Sequence, residues 1–387
     1  MESRMRVLIA DGALVIRRLL SEVLAEEPGF EVIGAAGTGR QAIAKMISFD
    51  PDVVLLDVDL PDMDGLEALP EMLQVAHPPA VIMTCSRTSH GTATTLTALS
   101  LGAADFVTKP RGVGHISRAI DAVRGDIIPV VRESGLRRKR RRQLKPPGAT
   151  SGPHPTAGHS VPSDNSIPIV PQQSTGAVST RIVAIGPSTG GPNVLQTVIG
   201  SLPADLAASV VIVQHMPSGF TRTLAAQLDA ASPLRVREAS GRDELAVGSV
   251  WVAPGDAHVV VEVRDDVPAL LTSDAPPENS CRPSVDVLFR SVARSFGPRA
   301  MGVLLTGTGS DGCAGSRQIR EAGGSVIVQD EASSVVWDMP GCVAQEDLAH
   351  SVLPIERISS EITRFVQSSP EAWEAGATVP APAIAAP

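Results

Sequence analysis

The sequence predicts an α/β protein of two domains joined by a flexible linker, and three observations carry the prediction. Residues 1–125 alternate short apolar runs with helix-compatible stretches, at the spacing of βα units around a parallel sheet. Between 126 and 180 this periodicity dissolves into a basic block, "LRRKRRRQLK", and a stretch rich in Pro, Ser, Gly and Thr, the composition of a linker. At Arg181 the periodicity resumes and holds to residue 369, after which an Ala/Pro-rich tail, 370–387, reads as disordered. A chain of 387 residues is long enough for each domain to bury its own core.

In the first domain the strands are "RVLIA" from Arg6, "EVIGAA" from Glu31, "DVVLLD" from Asp52, "AVIMTC" from Ala80 and "DFVTK" from Asp105. Helical stretches between them make this a doubly wound, five-stranded parallel sheet, whose ligands gather at the carboxyl ends of the strands. Asp11, Asp57 and Lys109 stand at three of those ends. Neighbouring carboxylates repel unless a hard cation such as Mg²⁺ joins them, and a nearby lysine then pairs with an added phosphoryl group. Together the three read as an aspartyl-phosphate site, although each aspartate alone reads as a cap or turn former.

The second domain offers "RIVAIG" from Arg181, "SVVIVQ" from Ser209, "GSVWVAPG" from Gly248, "HVVVEVR" from His258, "PALLTS" from Pro268, "AMGVLLTG" from Ala300 and "SVIVQD" from Ser325. Helical patterns near 191–200, 219–230, 284–296 and 313–323 interleave with them, giving a Rossmann-like α/β domain with a mixed sheet. Its first turn, Gly186-Pro187-Ser188-Thr189-Gly190, fits G-x-S-x-G, in which small neighbours let a serine hydroxyl stand on a sharp strand-to-helix turn. The pentapeptide reads equally as a serine N-cap on a glycine-rich turn. Neither a G-x-G-x-x-G nor a Gly-Lys-Ser/Thr ending is present, so a phosphate cradle is disfavoured. His215 follows the second strand and Asp311 the "GVLLTG" strand, which supplies a base and an orienting carboxylate at the same sheet edge. Singly, they read as a structural histidine and a capping aspartate. The chain order Ser, His, Asp differs from that of α/β-hydrolases and of chymotrypsin-like enzymes.

Bulk properties exclude several classes. A net charge of -9 implies no general affinity for nucleic acid or anionic lipid, and the "RRKRRR" block, lacking any accompanying nucleic-acid motif, reads as solvated linker. No run of about 18 apolar residues occurs and no signal-peptide core opens the chain, so a cytoplasmic location without membrane insertion is expected. The four cysteines lack any CxxC spacing and are expected to be free thiols. His258, Cys281 and Cys313 match no zinc signature.

"VLIADGALVIRRLL", "DVVLLDVDLPDMDG" and "GAADFVTKP" resemble the response-regulator receiver domain. That resemblance makes Asp57 the phosphoacceptor, Lys109 the phosphate partner, and Asp11 with Asp57 the Mg²⁺ ligands. Gly12 stands where receivers carry a second acidic residue, which implies weakened magnesium binding. At the end of the fourth strand, where a Ser or Thr is expected, the register places Cys85, flanked by Thr84 and Ser86. "IGPSTGG", "QHMPSGFT", "CRPSVDVLFRSVA" and "LLTGTGSDGCAG" resemble the catalytic domain of the chemotaxis protein-glutamate methylesterase (CheB) family. The resemblance implies hydrolysis of glutamyl methyl esters, with deamidation of glutamines, on chemoreceptor helices. Ser188, His215 and Asp311 would form the triad, and backbone amides near Thr189 and Thr308 the oxyanion site, with no cofactor for catalysis. Methyl-accepting chemoreceptors are then the substrate and a chemotaxis histidine kinase the phosphodonor.

Overall fold

A computed structural model of the chain describes residues 4–86, 89–110, 116–144 and 181–368. The expected linker from 145 to 180 and the tail 370–387 lie outside the described residues. The N-terminal domain runs β1 (Met5–Ala10), α1 (Leu14–Glu26), β2 (Phe30–Ala36), α2 (Gly39–Phe49), β3 (Val53–Asp57), α3 (Gly65–Leu73), β4 (Ala80–Cys85), α4 (Ser89–Ser100), β5 (Asp105–Thr108), α5 (Ile116–Ala122) and α6 (Ile128–Leu144). Its sheet order is β2-β1-β3-β4-β5, parallel throughout. Every residue of β3 is buried, because helices cover both faces, and this is why "VVLLD" reads as an unbroken apolar run ending in an acid.

The basic block is not solvated linker. It forms α6, which continues from α5 through a π-helical turn at Val123–Ile127 and docks back on the first domain. Buried Arg138 bonds Asp52 Oδ1 at 2.7 Å, Asp50 Oδ1 at 3.0 Å and the carbonyls of Pro78 and His77 at 3.1 and 3.2 Å. A guanidinium whose donors are taken up by two carboxylates and two carbonyls is fixed in place, so sequence charge alone misjudged this segment.

Buried Asp105 opens β5, and its Oδ1 accepts the amide of Phe106 at 2.7 Å. Burial pushes its pKa up to about 7, against the opposing pull of that bond and of the Arg137 charge. The folded chain therefore holds this proton more tightly than the unfolded chain, where the pKa is about 3.9, and stability falls as pH rises between about 4 and 7. Asp105→Asn keeps an acceptor oxygen but cannot ionise. Its melting temperature should exceed that of the wild type at about pH 8, with the gap closing toward about pH 4; a pH-independent gap in thermal melts would contradict the assignment.

The C-terminal domain runs β6 (Arg181–Gly186), α7 (Gly191–Gly200), β7 (Ala208–Ile212), α8 (Phe220–Ala231), β8 (Arg235–Glu238), β9 (Arg242–Glu244), β10 (Ser249–Val252), β11 (His258–Arg264), β12 (Val267–Ser273), α9 (Val285–Phe296), β13 (Ala300–Leu304), α10 (Cys313–Glu321), β14 (Ser325–Gln329), α11 (Asp338–Gln345), β15 (Ser351–Leu353) and α12 (Ile355–Gln367). The expected α/β class holds, but parallel and antiparallel strands are not mixed in one sheet. Seven strands form a fully parallel sheet, β15-β14-β13-β6-β7-β10-β8. Among the named strands the antiparallel pairing falls in a separate three-stranded sheet, β11-β12-β9, because β11 and β12 are joined by a tight turn at Asp265-Asp266 that only an antiparallel pair accepts.

Not all cysteines are free. Packing of α10 on α11 joins Cys313 to Cys342 in a disulfide with a Cα–Cα distance of 6.2 Å, while Cys85 and Cys281 remain thiols. The pairing partner is 29 residues away and is fixed by helix packing, which spacing motifs do not encode.

The two domains touch. Phe106 of β5 stacks on Phe220, the first residue of α8, with ring centroids 4.8 Å apart and planes 16° from parallel, and α4 packs on α7 and α8. No helix among the described residues is long and apolar enough to cross a membrane.

Candidate active site

Three neighbouring strands of the large sheet, β13, β6 and β7, end at one edge, with β6 in the middle. Ser188 follows β6, His215 follows β7 and Asp311 follows β13, so Asp311, 96 positions beyond His215 in sequence, converges with the other two at a crevice where the strand order reverses. The loops are tied to one another: Ser188 N–H donates to Thr306 O at 2.9 Å, and Gln214 Nε2 to Ser188 O at 2.8 Å. Gly190 has φ +78°, and a Cβ there would lie 2.1 Å from Val335, so only glycine lets the serine turn close against the 335 segment. At Gly307 a Cβ would come within 2.8 Å of Ser188 Cβ, so the absence of a side chain sets how closely the β13 loop approaches the serine.

Asp311 sits at the N-terminus of α9. Its Oδ2 accepts Val285 N–H at 2.7 Å and faces His215 Nε2 at 2.8 Å. Its Oδ1 accepts Ser284 Oγ at 2.8 Å, Asn279 Nδ2 at 2.9 Å and Asp286 N–H at 3.1 Å. Burial alone would raise the Asp311 pKa; the bonds from His215, Val285 and Asn279 outweigh it and hold the carboxyl well below its usual range. A carboxylate fixed in this way puts the proton of neutral His215 on Nε2 and leaves the lone pair on Nδ1. Burial also works against a charged His215, but Asp311 and the Cys281 thiol, 3.9 Å from Nδ1, more than offset it and bring the imidazole up to about 9. Ser188 is half-exposed, and among the described residues no hydrogen bond joins its hydroxyl to His215. The amides of Thr189 and Thr308 donate to no protein acceptor among the described residues, and the two hydroxyls meet at 3.2 Å. Such a set can deprotonate a hydroxyl and present free N–H groups to a developing oxyanion.

Several residues that hold this geometry were not singled out in the sequence. Asn279 bridges Asp311 and buried Asp286, at 2.9 and 2.8 Å, from a left-handed turn position that no motif marks. Ser284 lay inside the quoted "CRPSVDVLF" stretch; its amide donates to His258 Nδ1 at 3.2 Å while its hydroxyl reaches Asp311. His258 thus acts through Ser284, and its Nε2 is bonded to Pro276 O at 3.0 Å.

In the N-terminal domain, Lys109 Nζ lies 2.5 Å from Asp57 Oδ2 and 3.0 Å from Asp11 Oδ2. Burial raises the Asp57 pKa, the bond to Lys109 opposes this, and Asp11 adds to it. Two buried carboxylates at strand ends fit a small hard cation that keeps part of its water shell. Gly12 leaves ordinary space: a Cβ there would meet nothing nearer than Asp59 O at 3.4 Å. The fourth-strand register needs correction. Thr84, not Cys85, is the partner of Asp57 across β3 and β4, and Cys85 turns to the other face, with its thiol 3.7 Å from Val107 O. Among the described residues the buried Thr84 hydroxyl has no hydrogen-bond partner, and it stands on the Asp57 side of the sheet.

Residues 183–362 match the family described as CheB methylesterase, and residues 7–121 match the response regulator receiver domain. Among curated relatives, a protein-glutamate methylesterase/protein-glutamine glutaminase of Trichodesmium erythraeum is 40% identical, covering 94% of this chain and 99% of the relative. One of Nocardioides sp. is 42% identical over 96% and 98%, and one of Caulobacter vibrioides 41% over 94% and 99%.

Proposed function

The chain belongs to the CheB family of receiver-linked protein-glutamate methylesterases/protein-glutamine glutaminases, and from that premise we propose that Ser188, His215 and Asp311 carry its hydrolysis. The observation that bears most weight is the His215–Asp311 pair at 2.8 Å, set beside Ser188 at adjoining strand ends. His215 Nδ1 takes the hydroxyl proton as Ser188 attacks the glutamyl methyl-ester carbonyl, and Asp311 holds Nε2–H and stabilises the imidazolium. The Thr189 and Thr308 amides receive the oxyanion. Collapse of the tetrahedral intermediate expels methanol, which leaves with the proton from His215. Water, activated by the same imidazole, then frees the glutamate. With a side-chain amide as substrate, ammonia leaves in place of methanol.

On this reading residues 1–125 are the receiver and 181–369 the catalytic domain, with α6 packed on the former. The substrates are the cytoplasmic helices of chemoreceptors, the phosphodonor is a histidine kinase, and the enzyme works in the cytoplasm. Asp57 takes the phosphoryl group and Lys109 pairs with it; Asp11 and Asp57 would hold a Mg²⁺ ion, which would supply charge neutralisation at the phosphoryl oxygens. The Phe106–Phe220 stack, one short loop beyond His215, is the contact through which the receiver restrains the catalytic face. Methanol release from a methyl-esterified receptor, with and without a small-molecule phosphodonor, tests chemistry and gating together. Release that needs this chain and rises with the donor supports the reading; no release sinks it.

The reaction should also be strongly pH-dependent. Only neutral His215 accepts the serine proton, and its pKa is raised to about 9, so kcat/KM should climb about tenfold per pH unit below that value and level off above it. A profile already flat from about pH 7 would contradict the raised His215 pKa, and a profile with no acid limb at all would remove His215 as the base.

A further inference from the structure

Cys281 enters the hydrolysis described above only by raising the His215 pKa, yet it is the thiol that faces the catalytic imidazole. Its Sγ lies 3.9 Å from His215 Nδ1, and both side chains are partly buried, with the His215 side chain 14% exposed. We propose that Cys281 and His215 form a binding site for Zn²⁺ in the catalytic crevice, and that the bound ion blocks hydrolysis. The proposal goes beyond the hydrolase reading; its binding arm stands without that reading, while its inhibition arm rests on it.

Bonds of about 2.3 Å from sulfur and about 2.0 Å from nitrogen to one ion span a 3.9 Å separation at about 130°, which a shift of a few tenths of an ångström closes to the tetrahedral value. One ligand atom each from His215, Cys281 and Asp311 lies within 4.8 Å of the others. Asp311 already accepts five donors, so its part is that of the outer carboxylate: it takes the Nε2 proton and leaves Nδ1 as the metal-binding nitrogen, as in carboxylate–histidine–zinc sites. Thiolate and imidazole together suit Zn²⁺ and not Mg²⁺, and waters complete the shell. Binding releases the thiol proton to solvent and forms the Zn–S bond without any redox change.

The site is held ready. Glu278 and Cys281 form an antiparallel bridge, with N–H to O bonds of 3.1 and 2.9 Å across Asn279 and Ser280, both left-handed at φ 53° and 62°. This is the tight two-residue turn that fixes its flanks rigidly. The Asn279 side chain anchors the same turn to Asp311, so the thiol and the imidazole are oriented by one carboxylate. A zinc ion on Nδ1 occupies the lone pair that takes the Ser188 proton, and hydrolysis stops.

The test uses the full chain. Zinc titrations by calorimetry, and cobalt titrations followed through the thiolate-to-cobalt absorption band, should give one site that Cys281→Ser and Cys281→Ala each weaken by at least about tenfold. Cys342→Ser, which alters the other cysteine pair, should leave it intact. The zinc concentration that halves methanol release should rise by the same factor in the Cys281 variants, each compared with its own zinc-free rate, and magnesium should not inhibit. Zinc affinity unchanged in both Cys281 variants, a cobalt band lost in Cys342→Ser instead, or zinc bound at Cys281 without inhibition would each overturn the proposal. Because the two binding arms need no turnover, a failure of the methylesterase reading leaves them to be judged separately.

Discussion

Ser188→Ala should lower the turnover of methyl-ester hydrolysis by on the order of 10⁴- to 10⁶-fold while the protein stays folded. The hydroxyl makes no hydrogen bond to His215, and the turn around it is held by backbone contacts, Ser188 N–H to Thr306 O and Gln214 Nε2 to Ser188 O, that alanine keeps. The melting temperature should therefore barely move. What is lost is the only nucleophile in the mechanism, and oxyanion donors and substrate binding alone leave a small residual rate. The comparison is made under single-turnover conditions, with enzyme in saturating excess over methylated receptor, so that binding is not confused with chemistry. A variant retaining more than about a tenth of the wild-type rate would be incompatible with a serine nucleophile.

Asp311→Asn should be nearly as damaging to the rate, by about 10⁴-fold, and unlike Ser188→Ala it should also cost stability. The carboxylate accepts Val285 N–H, Asp286 N–H, Ser284 Oγ, Asn279 Nδ2 and the His215 ring. An asparagine side chain has one acceptor oxygen. Its amide group must face donors on one side, leaving at least one buried N–H, that of Val285 or of Asp286, unpaired at about 1–3 kcal/mol. If the amide turns its nitrogen to His215, the ring adopts the tautomer with the proton on Nδ1, and the base faces Ser188 with a hydrogen instead of a lone pair. Chemical denaturation alongside the kinetic assay separates the two effects. Full stability with a lost rate would confine Asp311 to chemistry, whereas an unchanged rate would remove it from the triad.

The strand ends were legible in the sequence because a chemical residue directly after an apolar run in a parallel sheet has only one edge at which to appear, and β6, β7 and β13 end that way. Helices α7, α8, α9 and α10 were legible from their apolar periodicity. What escaped depends on packing between distant segments. The charge of α6 points to solvent until Asp50, Asp52 and two carbonyls are brought to Arg138. The Cys313–Cys342 bond needs α10 and α11 side by side. Thr84 and Cys85 exchange roles with a one-residue change of register, which inverts both side chains, and only the pairing with β3 decides between them. Asn279 is invisible for the same reason: nothing local marks a turn residue whose amide serves two carboxylates contributed by α9 and the β13 loop.

The central claim is that Ser188 carries the acyl group of the substrate. Rapid mixing of the full chain with a methyl-esterified receptor peptide, acid quenching, and mass analysis of the segment from Arg181 to Leu195 tests it most directly. A transient glutamyl adduct on Ser188 should form together with methanol release, decay to free enzyme and be absent in Ser188→Ala. Methanol released at the wild-type rate with no adduct on Ser188, or with the adduct on another residue, would contradict it.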